Sequence, residues 1–238
     1  MSLKLRNIFK NYKVLNKYPK YFTPFKKVFY QIAYLIAGTN VKTREAWLKK
    51  KKIKKIKKIL RKGDIMILGD LKTILSYFVD GSVTHAGIWA GKGKMIHAIG
   101  TGVQFMKIKD IFAEYDTLAI LRISPFIKKK RYIIYKALQY AKKQLGKPYN
   151  FELNTTKGNF FCSQLVNDSF KAAGYNTGLE NFRDNPSFKS NILKLINDKG
   201  DPLEPGWFLE GNFEVIFVSP NMVIKNNRFY LKESQKKK

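Results

Sequence analysis

The chain holds one cysteine, Cys162, in the run Asn159-Phe160-Phe161-Cys162-Ser163-Gln164-Leu165-Val166, an aromatic stretch, then a thiol, then the start of an amphipathic helix. It holds only two histidines, His85 and His97, both upstream in glycine-punctuated, strand-like segments. A lone thiol at a helix start, with imidazoles on neighbouring strands, is the minimal equipment for cysteine-nucleophile chemistry. A free thiol, with pKa about 8.5, is mostly protonated at neutral pH, so nucleophilic work calls for that value to be lowered. Two features are expected to lower it: the partial positive charge of the first helical turn and an imidazole close by. His85 is the better partner, because it opens an apolar strand and the small Ala86 and Gly87 beside it leave room for close packing. A tight hairpin at Gly91-Lys92-Gly93 would pair residues whose numbers sum to about 182–184, bringing His97 near His85 on one face of the ladder. That geometry suits a base and its orienter, His97 accepting from a ring N–H of His85 and setting its tautomer. Taken singly, each residue has a plainer reading: Cys162 as a small buried hydrophobe, His97 as a half-buried strand residue bonded to backbone. Two histidines and a thiol could hold a metal with a carboxylate, but no ligand spacing recommends it, so neither metal nor cofactor is expected.

The elements that must position these groups follow from periodicity and turn residues. Residues 64–68 read as a buried strand, 85–90 and 94–99 as a hairpin, and 103–108 and 117–123 as further strands. Residues 131–145 have helical period, with Gly146 placed to end the helix and Pro148 to prevent its resumption. Residues 162–173 read as a second helix closed by Gly174. Late strands are expected at 207–209 and 213–218. Upstream, residues 1–40 are aromatic, basic and interrupted by Pro19 and Pro24, an arm with short helical pieces; the apolar run 28–38 within it suits an interfacial or core helix. Residues 41–60 form a basic amphipathic helix in which Trp47, Leu48, Ile53, Ile56, Ile59 and Leu60 alternate with lysines.

Composition sets the outer limits. In 238 residues, 45% apolar and 14% aromatic, there is ample material for a packed core. One cysteine excludes an internal disulfide framework and any multi-cysteine zinc site. The net charge is +29, and residues 1–62 supply +19 of it, twenty Lys and Arg against Glu45 alone. Such a block attracts anionic head groups, nucleic acid or other polyanions, unless its lysines are merely a solvated surface. No signal peptide is evident, and the run 28–38 is shorter than the ~20 residues that span a bilayer. A cytoplasmic or virus-delivered protein, peripheral to a membrane at most, is expected. The division expected is a basic extension over 1–62 and a catalytic domain over 63–238.

Five short motifs occur in one order: Gly63-Asp64-Ile65; Thr84-His85-Ala86-Gly87-Ile88; Ile96-His97-Ala98 with Gly100-Thr101-Gly102-Val103; Gly146-Lys147-Pro148-Tyr149; and Phe161-Cys162-Ser163-Gln164-Leu165-Val166. In this the chain resembles the circularly permuted NlpC-like branch of the papain-fold superfamily, the YiiX-like group, related to lecithin:retinol acyltransferase-type proteins. The resemblance spans residues 63–220. It implies an α+β fold, an antiparallel sheet or barrel packed on the helix that carries the cysteine. By the same resemblance Cys162 matches the nucleophile, His85 the general base and His97 a third polar residue that is often Glu in the group. Tyr149 matches a tyrosine near the thiol, which could lend its hydroxyl to substrate or oxyanion, and Ser219-Pro220-Asn221 matches the closing segment. Glu114 and Asp116 are alternatives for the third residue.

The function expected is therefore a cysteine-dependent amide hydrolase, a peptidase or amidase acting through a thioester, with cell-wall peptides the substrate the resemblance implies. The same residues would serve a membrane-associated acyltransferase or thioesterase on lipid carbonyls, held to an anionic surface by residues 1–62. A third alternative is a non-catalytic polyanion-binding protein. No zinc-finger or RNP-type signature supports sequence-specific nucleic-acid recognition. Substrate specificity is expected to lie in loops such as 72–82 and 176–206.

Overall fold

The structure is a computed structural model that describes residues 15–39, 50–71, 82–153, 158–183 and 201–232. The expectations for residues 1–14 and 41–49, and for most of the two specificity loops, fall outside the described residues.

Thr23 opens α1 (Pro24–Ala37), its hydroxyl accepting from the Lys26 N–H while Pro24 supplies the first turn. The proline that interrupts the sequence pattern therefore starts a helix. The basic segment folds as α2 (Lys50–Ile59), followed by β1 (Ile65–Gly69), β2 (His85–Gly91), β3 (Lys94–Ile99) and β4 (Gly102–Lys107). Then come α3 (Ile108–Glu114), β5 (Thr117–Arg122), α4 (Lys130–Lys143) and α5 (Cys162–Ala172). Two short strands, β6 (Phe182–Arg183) and β7 (Asp201–Pro202), pair with each other. A 3-10 helix, Pro205–Leu209, precedes β8 (Glu214–Val218), β9 (Met222–Lys225) and β10 (Arg228–Leu231).

Six strands form one antiparallel sheet in the order β4-β3-β2-β1-β5-β8, open at both edges rather than closed into a barrel. This is the expected α+β architecture. Both faces are covered, which is why β1 is buried at every position instead of alternating. On one face Ile65, Ile67, Ala86, Ile88, Ile96 and Ala98 meet Ala137 and Ala141 of α4 and Leu165, Val166 and Phe170 of α5. On the other, Met66, Leu68, Trp89 and Met95 meet Ile56 of α2 and Ile111 and Phe112 of α3. The isoleucine stripe of the lysine-rich α2 thus seals a core, leaving Lys52, Lys54, Lys55, Lys57 and Lys58 to solvent.

The expected strand at 207–209 is instead the 3-10 helix, where Pro205 sits in the first turn and Phe208 is buried. Burying an aromatic residue needs no ladder, and a proline start suits a helical turn. The hairpin of β9 and β10 went unread. Its turn, Asn226-Asn227, has φ of 46° and 51°, the doubly left-handed turn that asparagine tolerates best after glycine. The β2–β3 turn follows the same rule, with Lys92 and Gly93 at φ 50° and 73°.

Candidate active site

Strand register brings the two histidines together. Gly87 lies opposite His97, so His85, two residues earlier on the same face, is its diagonal neighbour. Nε2 of His85 lies 2.9 Å from Nδ1 of His97, with the rings edge-on at a centroid distance of 5.1 Å. Glycine at 87 permits this: a Cβ there would fall 2.6 Å from Met95 Sδ and 2.9 Å from the Ile96 carbonyl oxygen. Both rings are buried, and desolvation pushes His85 down to about 4, so its imidazole is neutral at physiological pH.

Cys162 is the first residue of α5, buried, and preceded by Phe161 in extended conformation. Its sulfur lies 3.6 Å from the Ser163 hydroxyl, and the backbone N–H groups of Ala86, Ser163 and Cys162 itself are near enough to favour a thiolate there. The nearby Ala86 amide places the thiol by the opening of β2, one residue from His85. These groups favour the thiolate, but burial outweighs them and the Cys162 pKa is raised. The sequence expectation of a lowered thiol pKa is thus reversed. Desolvation of a charge at this buried helix start exceeds what one helix terminus and a few amides return.

Tyr149 reaches the site through the loop after α4. Gly146, at φ 85°, ends that helix and donates to the Val103 carbonyl, while the Val103 N–H donates to the Lys147 carbonyl. Tyr149 then bridges to Phe160, two residues before the thiol. Burial first, then the nearby Cys162 and Tyr34, raise the Tyr149 pKa, so its hydroxyl remains a donor.

The two alternative third residues lie at the junction of α3 and β5. Asp116 accepts from the Leu71 N–H at 3.1 Å, and its carbonyl accepts from Asn221 Nδ2, tying strand ends together. Glu114 closes α3, half-buried, near Tyr34 and Tyr115. Between them lies a residue the sequence reading overlooked. The Tyr115 ring stacks on His85 with an interplanar angle of 4° and a centroid distance of 5.5 Å, closing one face of the imidazole. No spacing signals it, since the two rings come from elements thirty residues apart in the sequence.

A second unforeseen contributor is the N-terminal segment. The ring of Tyr34, on α1, lies against Gly100 of the β3–β4 turn, where an added Cβ would fall 2.5 Å from it. Tyr34 is also near enough to Tyr149 and Tyr115 to raise the pKa of both. Tyr30 packs on Phe151 at 5.3 Å, and Phe151 meets Tyr149 edge-on at 5.1 Å. Lys26 and Tyr21 both donate to the Glu152 carboxylate, at 2.6 and 3.0 Å. Residues 15–39 therefore form a wall beside the thiol.

Among solved structures the chain is similar to the metalloprotein yiiX from Escherichia coli O157:H7. The TM-score is 0.53 at 18% identity, over 65% of this chain and 95% of that one. At that identity the likeness is one of fold. Among the described residues of this chain, no three His, Cys, Asp or Glu side chains group so as to hold a metal ion. No curated protein matches the sequence. The family model of the permuted papain-like amidases, YaeF/YiiX, family C92, matches residues 59–228. The chain accordingly belongs to that family of cysteine-type amidases.

Proposed function

We propose that Cys162 is the nucleophile and His85 the general base of an amidase that works through a thioester, with His97 orienting His85. The observation that carries this is the 2.9 Å contact between the two imidazoles, on a strand whose Ala86 amide lies near the thiol. That contact engages Nε2 of His85 and leaves Nδ1 as its basic nitrogen. Base chemistry at Nδ1 requires the tautomer in which the His85 Nε2–H donates to Nδ1 of His97. Stacking on Tyr115 holds the ring in plane.

In the resting protein thiol and imidazole are both neutral, the first raised and the second lowered by burial. His85 therefore takes the thiol proton as Cys162 attacks the carbonyl carbon, rather than from a standing ion pair. The oxyanion is met by the Cys162 backbone N–H and the Tyr149 hydroxyl. The imidazolium returns its proton to the departing amine, leaving an acyl group on sulfur. Water, deprotonated by His85, then releases the acid and regenerates the thiol. Amide-linked peptides, including those of cell walls, are the substrate class this reading favours. Transfer of the acyl group to an alcohol or amine instead of water is a second outcome of the same intermediate.

Mass spectrometry of the protein quenched during turnover of a panel of acyl-amides tests the reading. An acyl adduct on Cys162 is expected, absent in Cys162→Ala and lost in His85→Ala. Undiminished turnover by Cys162→Ala would remove the thiol from the chemistry. Iodoacetamide labelling should quicken only as pH rises past the ordinary thiol range, because the resting thiol is held protonated.

A further inference from the structure

The helix that walls the site is oriented against the usual rule. An amphipathic helix on a protein surface turns its apolar stripe to the core. In α1 the side facing the body carries Tyr30, Gln31 and Tyr34, and Gln31 accepts from the Leu15 N–H at 2.8 Å and from the Tyr18 hydroxyl at 3.4 Å. The apolar residues Phe25, Val28, Phe29, Ile32 and Ile36 face outward, Phe25 at 81% exposure and the other four at 51–59%. At 3.6 residues per turn these five fall within a stripe about 100° wide, opposite Tyr34. Polar and aromatic contacts on the inner side, including the Lys26–Glu152 ion pair, hold the helix in this orientation. The stripe is thus presented by the fold and not left over from it.

We propose that α1 is an interfacial helix that docks the protein on an anionic lipid surface. Charge complementarity selects this occupant. Residues 15–39 contain four lysines and no acid, with Lys26 held by Glu152, and residues 1–62 as a whole carry +19. A strongly basic segment that also presents an apolar stripe matches a surface with anionic head groups above an apolar interior. A nucleic acid would satisfy the lysines but gives Phe25, Phe29 and Ile32 no apolar phase to enter. The helix lies on the bilayer and does not cross it: its 14 residues span about 21 Å, against about 30 Å of hydrocarbon. No helix among the described residues is long and apolar enough to cross a membrane.

Docking through α1 also fixes where the thiol stands. The opposite side of the helix touches the β3–β4 turn and, through Phe151, Tyr149. The candidate site therefore lies beyond the helix, at least about 10 Å (one helix diameter) from the lipid surface. Resting on the amidase reading, this makes amide-linked acyl groups displayed at a membrane the substrate class within reach. The docking itself does not depend on that reading.

The test is co-sedimentation of the full chain with vesicles of phosphatidylcholine alone and with about 30 mol% phosphatidylglycerol. Three proteins are compared: wild type, Phe25→Ser/Phe29→Ser/Ile32→Ser, and the Cys162→Ala variant. Binding to anionic vesicles is expected for wild type and for Cys162→Ala alike, so loss of catalysis and loss of docking are read separately. The triple variant, changed only at exposed positions, should keep its thermal midpoint and bind at least about tenfold more weakly. Phe29→Trp should show a blue-shifted emission with anionic vesicles alone. Failure of wild type to bind, or equal binding by the triple variant, would overturn the proposal. So would a dimer in the absence of lipid that the triple variant abolishes, or binding to an RNA oligomer that the triple variant weakens equally.

Discussion

Burial of His85 as a neutral imidazole makes stability pH-dependent in a calculable way. The group moves from an ordinary 6.5 to about 4 in the fold. The unfolded chain thus takes up the proton more readily than the folded one. The native state suffers no penalty above pH 6.5, is progressively destabilised as pH falls below it, and bears the whole penalty below about 4. The full shift, roughly 6.5 − 4 or 2.5 units at 1.36 kcal/mol each, amounts to about 3 kcal/mol. Roughly 2.5 kcal/mol of that should be expressed by about pH 4.5. Urea denaturation of wild type and His85→Gln at about pH 7.5 and about pH 4.5 isolates it, because the carboxylates titrate in both proteins and cancel in the difference. Wild type should lose about 2–3 kcal/mol more than the variant across that interval. Equal losses, within about 0.5 kcal/mol, would mean that His85 accepts its proton at an ordinary pKa. The neutral-base mechanism would then fall with the burial argument.

Two further expectations separate orientation from chemistry and one wall of the site from the rest. His97→Leu removes the acceptor for the His85 ring, and a hydrogen bond of about 1.4 kcal/mol corresponds to a roughly tenfold loss in kcat/KM. His97→Gln, whose amide oxygen can accept, should recover most of it, and equal losses in the two variants would assign His97 to packing alone. Gly100→Ala places a Cβ 2.5 Å from Tyr34 and 2.8 Å from Leu15, with both contacts to the N-terminal segment. Hydrogen exchange should quicken over residues 15–39 while β1, β2 and β5 keep their protection. A uniform change over the sheet, or none, would contradict the docking of that segment at Gly100.

Much of the candidate site's layout can be read from local patterns because its signals are local. The Gly91-Lys92-Gly93 turn sets the register that makes His85 and His97 diagonal neighbours, and a side-chain period of two puts them on one face. Phe161 before an apolar-periodic run marks the start of α5 at the thiol, and Gly146 marks the end of α4. These are short-range rules of backbone conformation, and they suffice for the order of most elements, while the α+β class is what the family resemblance implied. Where a local rule had two solutions, the reading failed: the run 207–209 took the helical form, and the Asn226-Asn227 turn was passed over.

Tertiary packing alone decided what no window of sequence contains. Whether the Cys162 thiol is raised or lowered depends on the sum of desolvation and hydrogen bonds from several elements, and burial prevails. Tyr115 and Tyr34 enter the site from separate elements, with no spacing to announce either. Two helices stand in the same basic region, and the sequence marks one as amphipathic and the other as an apolar run. Only the fold assigns their faces: Ile56 of α2 is sealed into the core, while Gln31 and Tyr30 tie α1 down and turn Phe25, Phe29 and Ile32 outward. A stripe is a property of a helix, but which surface it meets is a property of everything packed around it.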